Sequence, residues 1–196
     1  MKFSFAALVF GASCALAVPL VERDLVERQA GGACFLVGKT TLPKEVTDAA
    51  TSIAPRVTCN AAVKTIDGVP DVTEGDISFS KINFADSKQS PLAFALANFK
   101  TATPLASTDL KKFQAQADVY TATEAGIRSV GGNFAPIKIP KFFLAMQISR
   151  IQTAQGNPPA AAAQDIDHLR DKVLKNSPRE SKDLLDQVTQ LATVRS

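Results

Sequence analysis

The chain has 196 residues, of which 45% are hydrophobic and 21% are charged, with 22 basic residues against 19 acidic ones. This length and composition suit one packed globular domain, and they exclude wholesale disorder and a disulfide-dense miniature scaffold. The formal net charge of +3 is too small to indicate nucleic acid as a partner.

The N-terminal residues 1–17 are typical of a secretory signal. Met1 and Lys2 give a positive start, and residues 3–16 form an unbroken run of apolar and small residues. A bilayer span needs about 20 apolar residues, so this run predicts a signal peptide and not an integral membrane protein. Small residues precede Val18, and we expect cleavage after Ala17 and an extracellular mature protein.

Residues 18–28 form a charged leader in which Val-Glu-Arg occurs twice. Such a segment cannot bury an apolar face, so it is open to proteases and is a candidate propeptide. Cleavage after Arg28 would make Gln29 the first residue of the mature chain. The sequence leaves this second cleavage open, because no Lys-Arg pair marks it.

The cysteine pattern agrees with export. Cys14 lies in the signal, and Cys34 and Cys59 then form an even pair in an oxidising compartment. We predict a disulfide between them, worth roughly 3–3.5 kcal/mol in the chain-entropy model. Two free buried thiols are the alternative.

The first half of the mature chain predicts one helix and a small strand element. The helix runs from Pro43 to about Ile53. Residues 63–66 lead into Asp67-Gly68, which is a hairpin signal. Alternation at residues 77–79 indicates a further strand, and a shift of phase predicts a bulge or bend near Lys81.

The second half predicts helices. Ser90 and Pro91 begin one, and Ser107 or Thr108 is the expected cap of a longer helix that ends at Gly131-Gly132. Ile137 and Ile139 are expected to be extended, ahead of a central, nearly enclosed helix from Lys141 to Gln155.

The C-terminal residues 160–196 predict a helical hairpin. Its first helix is expected from Ala160 to Lys175, and residues 177–180 resemble a capping box for the second. The predicted fold is therefore mainly α: a single domain over residues 29–196, built as a compact bundle of about five to six helices with a small N-terminal strand or hairpin element.

The sequence offers few groups for catalysis. The single histidine, His168, lies in a charged helical segment and is interpreted as solvent-facing. The acidic residues of the loop at 67–76 are interpreted as turn formers and not as calcium ligands. We therefore predict no catalytic residue, no metal site and no cofactor. The alternative is an enzyme that uses carboxylates, for which Asp118 and Glu124 are the candidates, although they lie about 120° apart around one helix.

Four residues suggest a contact surface: Lys138, Lys141, Phe142 and Phe143. Basic residues beside phenylalanines can contact an anionic lipid surface or an apolar groove of a partner. The simpler interpretation of both rings is that they belong to the core of the central helix.

Several stretches together resemble a fungal family of small secreted proteins that carry a domain of unknown function. The similar segments are TIDGVPDVTEGDISFSKINFA (65–85), TATPLASTDLKKFQ (101–114), TEAGIRSVGG (123–132), IPKFFLAMQISRIQTAQGNPP (139–159) and DHLRDKVLKN (167–176). The resemblance implies a fungal, extracellular protein and implies nothing about activity. We expect a secreted, non-enzymatic protein that binds an extracellular partner, whether wall polysaccharide, protein or membrane surface.

Overall fold

The computed structural model describes residues 32–195. The predicted signal, the leader and the processing positions Ala17, Val18, Arg28 and Gln29 lie outside the described residues.

The described residues contain six α-helices and three short strands, which confirms the mainly α fold. The helices are α1 (Lys44–Ile53), α2 (Pro91–Asn98), α3 (Leu110–Ser129), α4 (Lys138–Ala154), α5 (Ile166–Asn176) and α6 (Lys182–Thr193). The strands are β1 (Thr58–Lys64), β2 (Pro70–Glu74) and β3 (Ile77–Ser78).

The strands form an antiparallel sheet in the order β1-β2-β3. The predicted hairpin is present, and Asp67 and Gly68 turn the chain with positive φ values of 53° and 79°. Of the bulge or bend predicted near Lys81, the structure has the bend: β3 ends at Ser78 and a 3-10 turn follows over Phe79–Lys81. After this turn, Phe79 and Phe84 are both buried, and both rings lie against the ring of Tyr120.

A disulfide joins Cys34 to Cys59, as predicted. It connects the segment before α1 to strand β1, and thereby fixes the start of the described chain to the sheet.

The centre of the fold is α4, which packs against α2, α3 and α5, while the sheet and α1 pack against α3. Phe143, Leu144, Met146 and Ile151 of α4 are fully buried, in agreement with the predicted enclosed helix. On α3, the Tyr120 hydroxyl donates a 2.6 Å hydrogen bond to the carbonyl oxygen of Ile82. Since Tyr120 is itself fully buried, this bond anchors the loop after β3 to the core.

Two predicted helix starts differ from the structure. The N-cap of α3 is Asp109, whose carboxylate accepts the Lys112 N–H at 3.1 Å, while the Thr108 hydroxyl accepts the Ala102 N–H instead. Helix α4 already begins at Lys138, and Ile137 before it has helical backbone angles (φ −67°, ψ −21°), so neither Ile137 nor Ile139 is extended. Pro140 lies in the first turn, where its missing N–H removes no helical hydrogen bond.

The predicted hairpin of helices corresponds to α5 and α6, but the capping box at 177–180 is wrong. Helix α5 begins at Ile166, and α6 begins only at Lys182. Glu180 reaches across the fold instead: its carboxylate accepts the Ser90 hydroxyl at 2.7 Å and the Leu92 N–H at 3.3 Å. A carboxylate at a helix N-terminus is favourable, so Glu180 stabilises α2 rather than its own helix.

Within residues 32–195, no helix combines the length and the hydropathy needed to cross a membrane.

Candidate functional site

The predicted contact residues lie in the first two turns of α4, and the structure separates them. Lys138, Lys141 and Phe142 are half-buried at the surface, whereas Phe143 is 0% exposed. Each residue of a helix is rotated by 100° from the one before it, so neighbouring phenylalanines cannot share a face. Phe143 therefore belongs to the core and is not part of a contact surface.

Two residues that the sequence did not suggest complete this surface. The Arg128 guanidinium carbon lies 3.5 Å from the ring centroid of Phe134, and the Lys138 ammonium lies 5.8 Å from the same ring. The Lys141 ammonium lies 5.2 Å from the Phe142 ring centroid. These are cation–π distances. We call the five residues Arg128, Phe134, Lys138, Lys141 and Phe142 the basic-aromatic patch.

Glu124 supports the patch from beneath. Glu124 is only 3% exposed. Its carboxylate accepts a hydrogen bond of 2.8 Å from Arg128 of the same helix and forms an ion pair with Lys141 of α4. The three cations of the patch, Arg128, Lys138 and Lys141, together with the one carboxylate of Glu124 have a net charge of +2. Glu124 is thus held by two cations, while Asp118 pairs with Arg56, so the two carboxylates considered as the alternative have different partners.

Asp118 pairs with other residues, at the edge between α1, α3 and the sheet. Arg56, just after α1, donates to the Asp118 carboxylate at 2.9 and 2.5 Å. Its Nε atom also lies 3.7 Å from the carboxylate of Glu74, the last residue of β2. We call Arg56, Glu74 and Asp118 the carboxyl cluster.

Glu74 is the chemically unusual member of the cluster. Burial, then the negative charge of Asp118 and a hydrogen bond with that carboxyl group raise the pKa of Glu74 to about 7, against the opposing effect of Arg56. Its Oε2 atom is buried, and no donor among the described residues reaches it. A proton on the Glu74 carboxyl group relieves its repulsion with the charge of Asp118.

The carboxyl cluster opens onto a surface groove. A cavity of about 530 Å³ is lined by all three residues together with Lys111, Gln114, Ala117 and Ile148. One protonated and one ionised carboxyl group in a groove can act as an acid and a base. Sequence reasoning missed this pairing because it assigned Glu74 to a turn, and nothing in the sequence brings residue 74 to residue 118.

Other polar residues of the described chain have structural roles. Asp71 accepts hydrogen bonds from the backbone and hydroxyl of Ser80, and Asp165 caps the N-terminus of α5. His168 is exposed on α5, in agreement with its interpretation as a solvent-facing residue. Among the side chains of residues 32–195, no group of three or more His, Cys, Asp or Glu residues is arranged to hold a metal ion.

These features describe a small, mainly helical domain with one disulfide. Residues 36–196 match the family model described as "Domain of unknown function (DUF7143)", and the chain therefore belongs to that family. No curated protein and no solved structure matches the chain.

The raised pKa of Glu74 predicts a pH dependence of stability. Because the folded state binds this proton more tightly than the unfolded chain does, Glu74 favours folding at low pH. That contribution is complete below pH 4.5, the ordinary pKa, and is lost as the pH rises to about 7. Relative to Glu74→Gln, the wild-type free energy of unfolding should therefore fall across this range, as measured by chemical denaturation.

The control for this measurement is Asp76→Asn, which alters an exposed carboxylate in the adjacent turn. A difference between wild type and Glu74→Gln that does not change with pH would contradict the assignment of the raised pKa to Glu74.

Proposed function

We propose that the chain is a small secreted fungal protein that binds an acidic polysaccharide at an extracellular surface and does not act on it chemically. In this proposal residues 1–17 direct export, residues 18–28 are a propeptide removed after Arg28, and the mature domain begins at Gln29. The Cys34–Cys59 disulfide supports export, because such bonds persist in oxidising compartments.

The basic-aromatic patch is the observation that carries this proposal. It assembles three cations and two phenyl rings from three parts of the chain, with a charge of +2 around one buried carboxylate. Ammonium and guanidinium groups donate strong hydrogen bonds to carboxylates and phosphates. The half-buried phenyl rings lie against these cations and help to hold them in place.

The same geometry favours a polysaccharide over a membrane. Insertion into a bilayer needs an apolar face that reaches the acyl chains. Phe134 and Phe142 are half-buried, and each has a cation over its ring. Rings held in this way support contact with a polar, charged polymer more readily than insertion into hydrocarbon.

Charge reversal at Lys138 tests the proposal. Wild-type protein should bind saturably to insoluble polygalacturonate, a uronic-acid polymer, and not to neutral cellulose. Lys138→Glu should weaken this binding about tenfold, or about 1.4 kcal/mol, because it replaces attraction by repulsion. The matched control is Lys172→Glu, the same charge change at an exposed position of α5.

Equal binding by Lys138→Glu and Lys172→Glu would contradict a role for the patch. Retention on phosphatidylserine vesicles in place of polygalacturonate would overturn the choice of polysaccharide.

The carboxyl cluster favours a second candidate function, an extracellular glycoside hydrolase. Pairs of carboxyl groups, one protonated and one ionised, carry out most glycoside hydrolysis. Glu74, whose pKa is raised to about 7, would be the general acid, and Asp118 would be the carboxylate partner. Arg56 and Lys111 beside the groove would bind acidic substituents of the substrate.

One assay separates the two functions. Release of reducing ends from polygalacturonate by the wild type, abolished in Glu74→Gln but retained in Asp76→Asn, would establish the hydrolase. We expect binding without release, because Arg56 holds Asp118 in a direct ion pair.

A further inference from the structure

A groove between α2, α4 and α6 lies apart from both sites described above. It has a volume of about 480 Å³, within the range of small-molecule sites. Most of its wall is apolar, and its apolar side chains are Leu96, Phe99, Phe143, Leu191 and Val194. Its polar lining residues are Lys100, Thr101 and three glutamines, so it has one cation and no carboxylate.

Arg150 of α4 lies directly behind this wall. It is 1% exposed, and its hydrogen bonds go to neutral acceptors: the Val194 carbonyl oxygen at 3.0 Å and the Gln147 amide oxygen. Both acceptors belong to residues that line the groove. Among residues 32–195, no carboxylate lies within ion-pair distance of Arg150, in contrast to Arg56, Arg128 and Arg170.

A buried cation with neutral partners has a large uncompensated charge. Burial lowers the pKa of Arg150, but an arginine remains protonated in proteins. Its desolvation is unfavourable unless an anion offsets it. Because the surrounding core has a low dielectric constant, the charge of Arg150 attracts an anion in the groove more strongly than it would through water.

We propose that this groove binds an amphipathic anion, a carboxylic acid with an unbranched apolar tail. The tail packs against Leu96, Leu191 and Val194, and the carboxylate is attracted by Lys100 on the lining and by Arg150 behind the wall. This is a small-molecule site, independent of the basic-aromatic patch.

Charge argues against the other occupants of an apolar groove. A neutral ligand would cover the apolar walls of the groove but would supply no negative charge to offset that of Arg150. A second copy of this chain in a two-fold symmetric contact would present the same surface, whose groove lining includes no carboxylate, and would supply no anion from it. An anion with an apolar tail satisfies both the walls and the charge.

Calorimetric titration of the full secreted protein with decanoate and with decanamide tests the site. The two ligands share a tail and differ in charge, so decanoate should bind at least fivefold more tightly. Gln190→Glu places a carboxylate on the groove lining and should weaken decanoate binding about fivefold without affecting decanamide, while Gln190→Lys should strengthen decanoate binding.

Two matched variants serve as controls. Thr189→Glu adds the same charge at the neighbouring exposed position of α6, which does not line the groove, and Lys138→Glu changes only the patch. Both should bind decanoate within about twofold of wild type. If Lys138→Glu loses polysaccharide binding but still binds decanoate, the two sites are independent, and each proposal can fail without the other.

Equal affinity for decanoate and decanamide, or equal effects of Gln190→Glu on both, would overturn the anion site. Absence of binding of either ligand would overturn the proposal entirely, as would a stable dimer that buries the groove.

Discussion

The buried carboxylate of Glu124 is the interaction on which the central helices depend. It joins α3 to α4 through Lys141, and it holds Arg128 within its own helix at 2.8 Å. A carboxylate that is 3% exposed is tolerated only if it is paired, because desolvation of a lone charge costs several kcal/mol. The same two cations extend outward over Phe134 and Phe142, so the surface patch is built on a structural ion pair.

Neighbours decide what each carboxylate of α3 and the sheet can do. Glu124 lies between two cations, Arg128 and Lys141, which hold its carboxylate in ion pairs. Glu74 shares its surroundings with Asp118, and burial beside that second negative charge raises its pKa to about 7. Glu124 therefore has a structural role, whereas Glu74 is a titratable residue that lines a groove.

Local features could be predicted from the sequence, and long-range partners could not. The Ser90-Pro91 helix start, the Asp67-Gly68 turn and the Cys34–Cys59 bond follow from backbone preferences or from counting. The sequence pattern, in contrast, assigned Glu180 to the cap of the helix that follows it. In the structure Glu180 binds Ser90 at the start of α2, 90 positions earlier in the chain. The carboxyl cluster and the position of Arg150 behind a groove likewise depend on packing between distant segments.

The most direct test of this account is the free energy of unfolding of Glu124→Gln, with the exposed Glu45→Gln as control. Removal of the charge leaves Lys141 and Arg128 partly buried without their carboxylate, so we predict a loss of about 3 kcal/mol or more. The control should change by no more than about 0.5 kcal/mol. If Glu124→Gln unfolds with the wild-type free energy, the ion pair does not hold the central helices together and the account is contradicted.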